Sequence, residues 1–233
     1  MLPMSIYFTL YKTICNYITL NTLAMKQRQL EMLLEKIPKP ASPIPRLEQY
    51  ITPAPIAADA IFTAYQWGDI QDKNIIDLGC GTGRLAVGAY LMGAKKVQGF
   101  DIDPKVIKEA QENAGKNNYS IEFKAQDIKE IQTNCDTILM NPPFGAQKAN
   151  LHADRKFIEK GFEISSVIYS FHLTKTVTFF EKMISALNGE ITLQTDYEFP
   201  IKWMFDFHNK QVVSYKVALL RIITNKKSKK QSF

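Results

Sequence analysis

The sequence predicts an α/β fold, a mostly parallel, doubly wound sheet of seven strands with an antiparallel edge hairpin. Three observations predict it. Short apolar runs of strand length alternate with stretches of helical spacing through the middle of the chain. A Gly-rich turn joins the first such strand to the helix after it. The last two β-like stretches have no helix between them, so a hairpin at the sheet edge is the economical connection.

The elements follow in order. Residues 26–37 place Leu30, Leu33, Leu34 and Ile37 at i, i+3, i+4 and i+7, which is helical spacing. Pro38 and Pro40 end that helix and open a Pro-rich strap. Thr52-Pro53 reads as an N-cap followed by a proline at the first helical position, predicting a helix over 54–66. NIIDL at 74–78 is a buried strand, 79–83 the Gly-rich turn, 84–92 a helix and 96–102 the second strand. Pro104 opens a helix to 116, and strands follow at 120–125 and 137–140. A helix over 154–163, a strand over 165–170 and a helix over 174–187 come next. The β stretches 190–197 and 211–222 close the fold.

Of 233 residues, 45% are hydrophobic, enough for one cored domain over residues 25–224. The formal charge of +6 is concentrated in the tail, where residues 225–233 carry four lysines and no acid. That tail reads as a solvated, flexible segment or a loose phosphate contact. Residues 1–24 are apolar but broken by Lys12, Asn16 and Asn21, which argues against a membrane span and against a signal peptide. They read as an N-terminal extension, or as the product of a misassigned start. Cys15, Cys80 and Cys135 are odd in number, widely spaced and free of any C-x-x-C. No disulfide framework or zinc site is expected within the chain, and a cytoplasmic setting fits.

Two motifs carry chemistry. The first is Asp77-Leu78-Gly79-Cys80-Gly81-Thr82-Gly83, between a strand and a helix. Asp101 lies 22 residues beyond Gly79 at the end of the next strand, where an acidic side chain meets a ribose diol. The pair describes a site for an adenosine-containing cofactor. A dinucleotide fingerprint needs glycine at position six, where this chain has Arg84. The pattern D-x-G-x-G-x-G resembles that of the Rossmann-like class I methyltransferases, which use S-adenosylmethionine. Asp127, after the third strand, stands where that class commonly meets the adenine amine; a simple N-cap is an equal reading.

The second motif is Asn141-Pro142-Pro143-Phe144, at the carboxyl edge of the fourth strand. A planar amine attacking an electrophilic methyl needs two hydrogen-bond acceptors. The Asn141 side-chain oxygen and the Pro142 carbonyl supply them, the two prolines stiffen the loop, and Phe144 offers a stacking face. The motif serves adenine N6, guanine N2 and glutamine amides alike.

Glu48-Gln49-Tyr50-Ile51-Thr52, DLGCGTG, GFDID, NPPFG and the Tyr169-Ser170-x-His172 segment together resemble the methyltransferase-like-five family over residues 26–222. That family makes N6-methyladenosine in small-subunit ribosomal RNA. The resemblance implies that Gln49, Tyr50 and Thr52 close over the cofactor. It implies that Gly79, Thr82, Asp101, Ile102 and Asp127 line its pocket, and that Asn141, Pro142 and Phe144 hold the base, with Asn141 also reaching the cofactor. The family has cysteine at the place of Thr82 in its eukaryotic members, and the loop after NPPFG also departs from its pattern. It further implies a small zinc-binding activator subunit that pairs with a sheet edge. The short segment after Phe144, 89 residues, leaves no room for the large recognition domain of many DNA adenine methyltransferases.

Weaker candidates surround these motifs. Lys148, His152, Asp154 and Arg155 form a candidate basic lip for phosphate, or a solvated loop. His172 is a packing or RNA-contact residue, and neither it nor His208 has ligand-spaced neighbours for a metal. Phe199, Trp203, Phe205 and Phe207, with Lys202 and Lys210 nearby, are candidates for stacking on bases, with core packing the blander use. The rival readings are a protein glutamine N5 methyltransferase, an RNA guanine-N2 enzyme and a non-enzymatic cofactor-binding scaffold.

Overall fold

The computed structural model describes residues 25–144, 153–202 and 212–225. Two helices come first, α1 (Gln27–Leu34) and α2 (Ala54–Gln66), with the Pro-rich strap between them. Then come β1 (Asn74–Leu78), α3 (Arg84–Leu91), β2 (Lys96–Asp101), α4 (Pro104–Lys116), β3 (Glu122–Ala125) and β4 (Thr137–Met140). The chain continues with α5 (Ala153–Ile164), β5 (Val167–Leu173), α6 (Val177–Ala186), β6 (Gly189–Lys202) and β7 (Val212–Thr224). The sheet has seven strands in the order β3-β2-β1-β4-β5-β7-β6. Strands β1 to β5 pair in parallel, and β7 runs antiparallel between β5 and β6. This is the mostly parallel sheet with an edge hairpin that the sequence predicts.

Strand residues alternate between two cores, as a pleated sheet requires. Ile75, Leu139, Tyr169, Phe171 and Leu219 face the side of α1 to α4, with Leu30, Ile61 and Leu85. Ile76, Ile138, Ile168 and Leu220 face the side of α5 and α6, with Ile158 and Phe180. Register then places the site. Leu78 of β1 pairs with Phe100 of β2 on one side and Met140 of β4 on the other. The next residues of these strands are Gly79, Asp101 and Asn141, so all three leave the sheet side by side at its carboxyl edge, where open α/β sheets bind ligands.

Most predicted boundaries shift by a few residues, and three differences have a physical reason. The first residue flanking α2 is Pro53 rather than Thr52, and no side chain caps that helix, because Thr52 is engaged elsewhere. Strand β5 runs to Leu173, since antiparallel pairing with β7 continues as far as Leu173↔Val217. Strand β6 passes through Pro200, which an edge strand tolerates because a proline nitrogen donates nothing to the ladder.

The Tyr169-Ser170-x-His172 segment is structural. Tyr169 donates its hydroxyl to Asp69 Oδ2 at 2.7 Å, and Arg221 of β7 reaches the same oxygen at 2.8 Å. Arg221 also donates to Thr192 Oγ1 at 2.7 Å and lies over the Trp67 ring, 4.3 Å from its centroid. Burial first, and the carboxylate of Asp69 next, push the Tyr169 hydroxyl well above its ordinary range, so it remains a donor. His172 is 1% exposed, 2.7 Å from Ser170 Oγ through Nε2, with its ring against Phe180 at 3.8 Å between centroids. The expected RNA contact of His172 is therefore corrected. The ring is packed on the face opposite α1 to α4, and burial pushes its pKa down to about 3, keeping it neutral.

Candidate active site

The turn after β1 is shaped by glycine where side chains do not fit. Gly79 has φ of +69°, and a Cβ there would stand 3.1 Å from the Phe157 ring of α5. Gly83, at φ +88°, begins α3, and a Cβ there would come within 2.6 Å of Phe123. The backbone N–H groups of Gly79 and Cys80 both donate to the Phe100 carbonyl, at 2.8 and 3.0 Å. Gly81 donates to Asp101 Oδ2 at 2.9 Å, and Asp103 donates its N–H to Asp101 Oδ1 at 3.0 Å. Asp101 thus fixes the turn while standing at the mouth of the cavity. Burial raises its carboxyl above the ordinary range, opposed by these N–H donors.

Asp77 lies inside β1, one residue before the turn. Its Oδ2 accepts from the Ala86 N–H of α3 at 2.9 Å, while Oδ1 is buried without a partner among the described residues. Burial pushes this carboxyl up to about 7, with the Asp101 charge adding to it. Between about pH 4 and 7 the folded chain holds a proton that an unfolded aspartate has released. The contribution of this group to stability is present below about pH 4 and is lost as pH rises through 7. Asp77→Asn is expected to flatten that part of the stability profile, read by urea titration at a series of pH values without added ligand.

Above the turn lies the strap between α1 and α2, held by buried hydrogen bonds that span the sequence. Thr82 Oγ1 donates to the Pro38 carbonyl at 2.7 Å. Arg84 donates from Nη2 to the Ile37 carbonyl and from Nη1 to the Thr52 carbonyl, both at 2.8 Å. Gln49 accepts from the Ile44 N–H at 2.7 Å and donates to Asp103 Oδ2 at 2.9 Å. A cation in the first turn of a helix opposes the helix dipole, and the two carbonyls compensate it here. Sequence reasoning used Arg84 only to exclude a dinucleotide motif. The signal available was a lone cation opening an otherwise apolar helix, RLAVGAYL.

Turn, strap and the Asn141–Pro143 loop surround a cavity of about 290 Å³. Gln49, Tyr50 and Thr52 line it from the strap, and Asp77, Gly79, Gly81 and Thr82 from the turn. Asp101, Ile102 and Asp127 line the opposite side, and Asn141 and Pro143 the end nearest β4. Ile102 is 57% exposed, an apolar side chain left open at this lip. Asp127 caps a short 3-10 turn by accepting from the Lys129 N–H at 2.9 Å, and it also lines the cavity. Gly83 does not line the cavity and serves the helix start beneath it. Lys148 and His152 lie outside the described residues.

Asn141 ends the cavity. Its Nδ2 donates to Thr52 Oγ1 at 3.1 Å, and its Oδ1 is buried with no partner among the described residues. Pro142 is buried and Pro143 half-buried. Phe144 stands edge-on to Phe199 of β6, with centroids 6.1 Å apart and planes at 88°, and Phe199 in turn meets Phe171 at 6.3 Å. Phe199 is 1% exposed, so it backs the Phe144 ring and does not itself stack on a base. Trp203, Phe205, Phe207, His208 and Lys210 lie outside the described residues. Arg155 covers the Phe179 ring at 4.2 Å. Phe199→Leu keeps most of the buried volume and removes the ring edge. It should raise KM for the methyl acceptor by about two- to tenfold, the value of one aromatic pair, with stability changed by less than about 1.5 kcal/mol. Steady-state kinetics beside a denaturation curve reads both.

The Methyltransferase small domain family model matches residues 62–164. The rRNA N(6)-adenosine-methyltransferase METTL5 of Danio rerio is 30% identical over 84% of this chain and 98% of that protein. The chain belongs to the METTL5 family. The chain is also similar to an uncharacterised protein of Methanocaldococcus jannaschii, 38% identical over 85% of this chain and 94% of that one. Among solved structures, PH1948 of Pyrococcus horikoshii, a candidate RNA methyltransferase, superposes with a TM-score of 0.80 at 34% identity, covering 87% of this chain and 99% of that one. Of the motifs that carry the family resemblance, the strap, the turn, Asp101-Ile102 and the Asn141 and Pro143 positions line the cavity, whereas Tyr169-Ser170-x-His172 packs elsewhere.

Proposed function

We propose that the chain transfers the methyl group of S-adenosylmethionine to the N6 amine of an adenosine in RNA, and that the RNA is small-subunit ribosomal RNA. The observation that carries this is Asn141. Its amide nitrogen is committed to Thr52, and its buried oxygen is left as an acceptor at the end of the cavity that holds the cofactor motifs. S-adenosylmethionine, when bound, supplies an electrophilic methyl group on a sulfonium.

The residues of the chain do the rest. Asn141 Oδ1 and the Pro142 carbonyl accept the two N–H bonds of the target amine, which turns its lone pair toward the cofactor pocket. The Pro142-Pro143 pair holds both acceptors in place before the base arrives, so no reorganisation is needed at the moment of transfer. Phe144, braced by Phe199, gives the base a face on which to stack. As the nitrogen gains positive character, both acceptors bind it more tightly, and its proton leaves to solvent without a strong base. A paired adenosine must first leave its stack. Gln49, Tyr50 and Thr52 cover the cofactor from the strap. Asp77 and Asp101 would offer carboxylates to its cationic amine and ribose ends, and Asp127 would meet its adenine.

In the same reading a small zinc-binding subunit completes the enzyme by adding a strand to a sheet edge. The sheet ends at β3 and β6, and β3 carries the charged pair Glu122–Lys124 that shields a short edge. Residues 25–224 act as one methyltransferase domain in the cytoplasm, with 1–24 as an extension and 225–233 as a basic tail. Among the described residues no helix is long and apolar enough to cross a membrane.

The test is transfer of labelled methyl from S-adenosylmethionine to small-subunit RNA and to ribosomal protein, with and without the activator subunit, resolving nucleosides and amino acids. Label in N6-methyladenosine supports the reading. Label in guanine N2 or in a glutamine amide moves the assignment to those amines. The folded, cofactor-binding chain with its partner and no label would leave the scaffold reading.

A further inference from the structure

We propose that Thr52 is a positioning residue for methyl transfer, its hydroxyl holding the Asn141 amide in the one orientation that accepts from the reacting amine. This rests on the reading of Asn141 as the acceptor. An amide presents an oxygen and an NH2 of nearly the same shape, so the packing around Asn141 does not by itself choose between them. Turned the other way, the group would meet the target amine donor to donor. The partner that satisfies Nδ2 among the described residues is Thr52 Oγ1, at 3.1 Å. In that contact the hydroxyl accepts from Nδ2 and leaves the buried Oδ1 open to the amine.

Thr52 is itself held from behind. Its carbonyl takes the buried Arg84 Nη1 at 2.8 Å, and the other arm of the same guanidinium grips Ile37 across the strap. The relay therefore runs from the first turn of α3 through the strap to the catalytic loop. Thr52 is buried, and it begins no helix cap, which leaves its hydroxyl available for this contact.

The effect falls on the chemical step. While the amine nitrogen becomes positive, Asn141 Oδ1 is drawn toward it and the amide polarises. Its Nδ2–H becomes a stronger donor, and the bond to Thr52 tightens along with it. Cofactor binding gains little from this bond, because the hydroxyl is engaged with Asn141 and the rest of Thr52 keeps its place in the cavity wall without it.

The test compares Thr52→Val, which keeps the shape and removes the hydroxyl, with Thr52→Ser, which keeps the hydroxyl. The wild-type chain first identifies the methyl acceptor, so a wrong substrate assignment shows in the wild type and is separate from the question of Thr52. On that acceptor, Thr52→Val should lower kcat by about thirtyfold, a lost hydrogen bond that strengthens in the transition state. Its cofactor Kd, measured by calorimetry without turnover, should stay within about threefold. Thr52→Ser should restore most of kcat. The proposal is overturned if Thr52→Val turns over like wild type, if Thr52→Ser is as impaired as Thr52→Val, or if the loss lies in cofactor Kd.

Discussion

Asn141→Ala should reduce methyl transfer by about a thousandfold, the upper end of what one preorganised electrostatic contact contributes to an enzyme. The substitution removes the acceptor that the amine needs as it turns cationic and leaves Pro142 to hold the amine alone. The alanine also frees Thr52 Oγ1, which loses the Asn141 donor 3.1 Å away. The fold should not change, since Asn141 lies in the loop beyond β4 and outside both hydrophobic cores. Cofactor Kd should move by less than about threefold, because the turn, strap and carboxylates stay in place. Rapid-quench measurement of the methyl-transfer rate, beside calorimetry of cofactor binding, separates the two. An equal loss in binding and in rate would mean that Asn141 holds the cofactor rather than the amine.

The second large effect is on stability and lies away from the cavity. Asp69→Ala should destabilise the chain by about 3–5 kcal/mol, the cost of breaking a buried ion pair by removing one partner. Asp69 and Arg221 side chains are 11% and 9% exposed, so little solvent screens the charge that remains. The loss also strands the Tyr169 hydroxyl, which points at the same carboxylate. This trio joins the loop after α2 to β5 and β7, tying the helix that follows the strap to the hairpin half of the sheet. Guanidinium titration measures the change, and a melting temperature lowered by about 10 °C is its thermal counterpart. Methyl transfer per folded molecule should be little altered.

Why some of this was legible in sequence and some was not comes down to range. NIIDL, KVQGFD and TILM are short runs bounded by turn residues, and local composition is enough to mark such strands. The spacing of Asp77, Gly79 and Asp101 gave the turn and its acidic partner, because register carries each strand end to the same edge. NPPF was legible at the same edge for the same reason. The strap was different. Its residues were visible as a Pro-rich segment, but its position depends on Arg84 reaching Ile37 and Thr52, 47 and 32 residues away, and on Thr82 reaching Pro38. No periodicity reports such bonds. His172 read as either a packing or an RNA-contact residue, and pairing along the full length of β5 buries it and leaves the packing use. Phe199 sat among aromatics of ambiguous use, and its edge contact with Phe144 is visible only in the fold.

The central claim, that this chain methylates an adenosine amine in ribosomal RNA through Asn141, is tested most directly in cells. Small-subunit RNA from a strain lacking the gene is mapped for N6-methyladenosine at single-nucleotide resolution, with wild type or Asn141→Ala returned on a plasmid. The account predicts one adenosine that loses its methyl group on deletion, regains it with wild type, and stays unmodified with Asn141→Ala made at equal abundance. An unchanged N6-methyladenosine map in the deletion strain, or full restoration by Asn141→Ala, would contradict it.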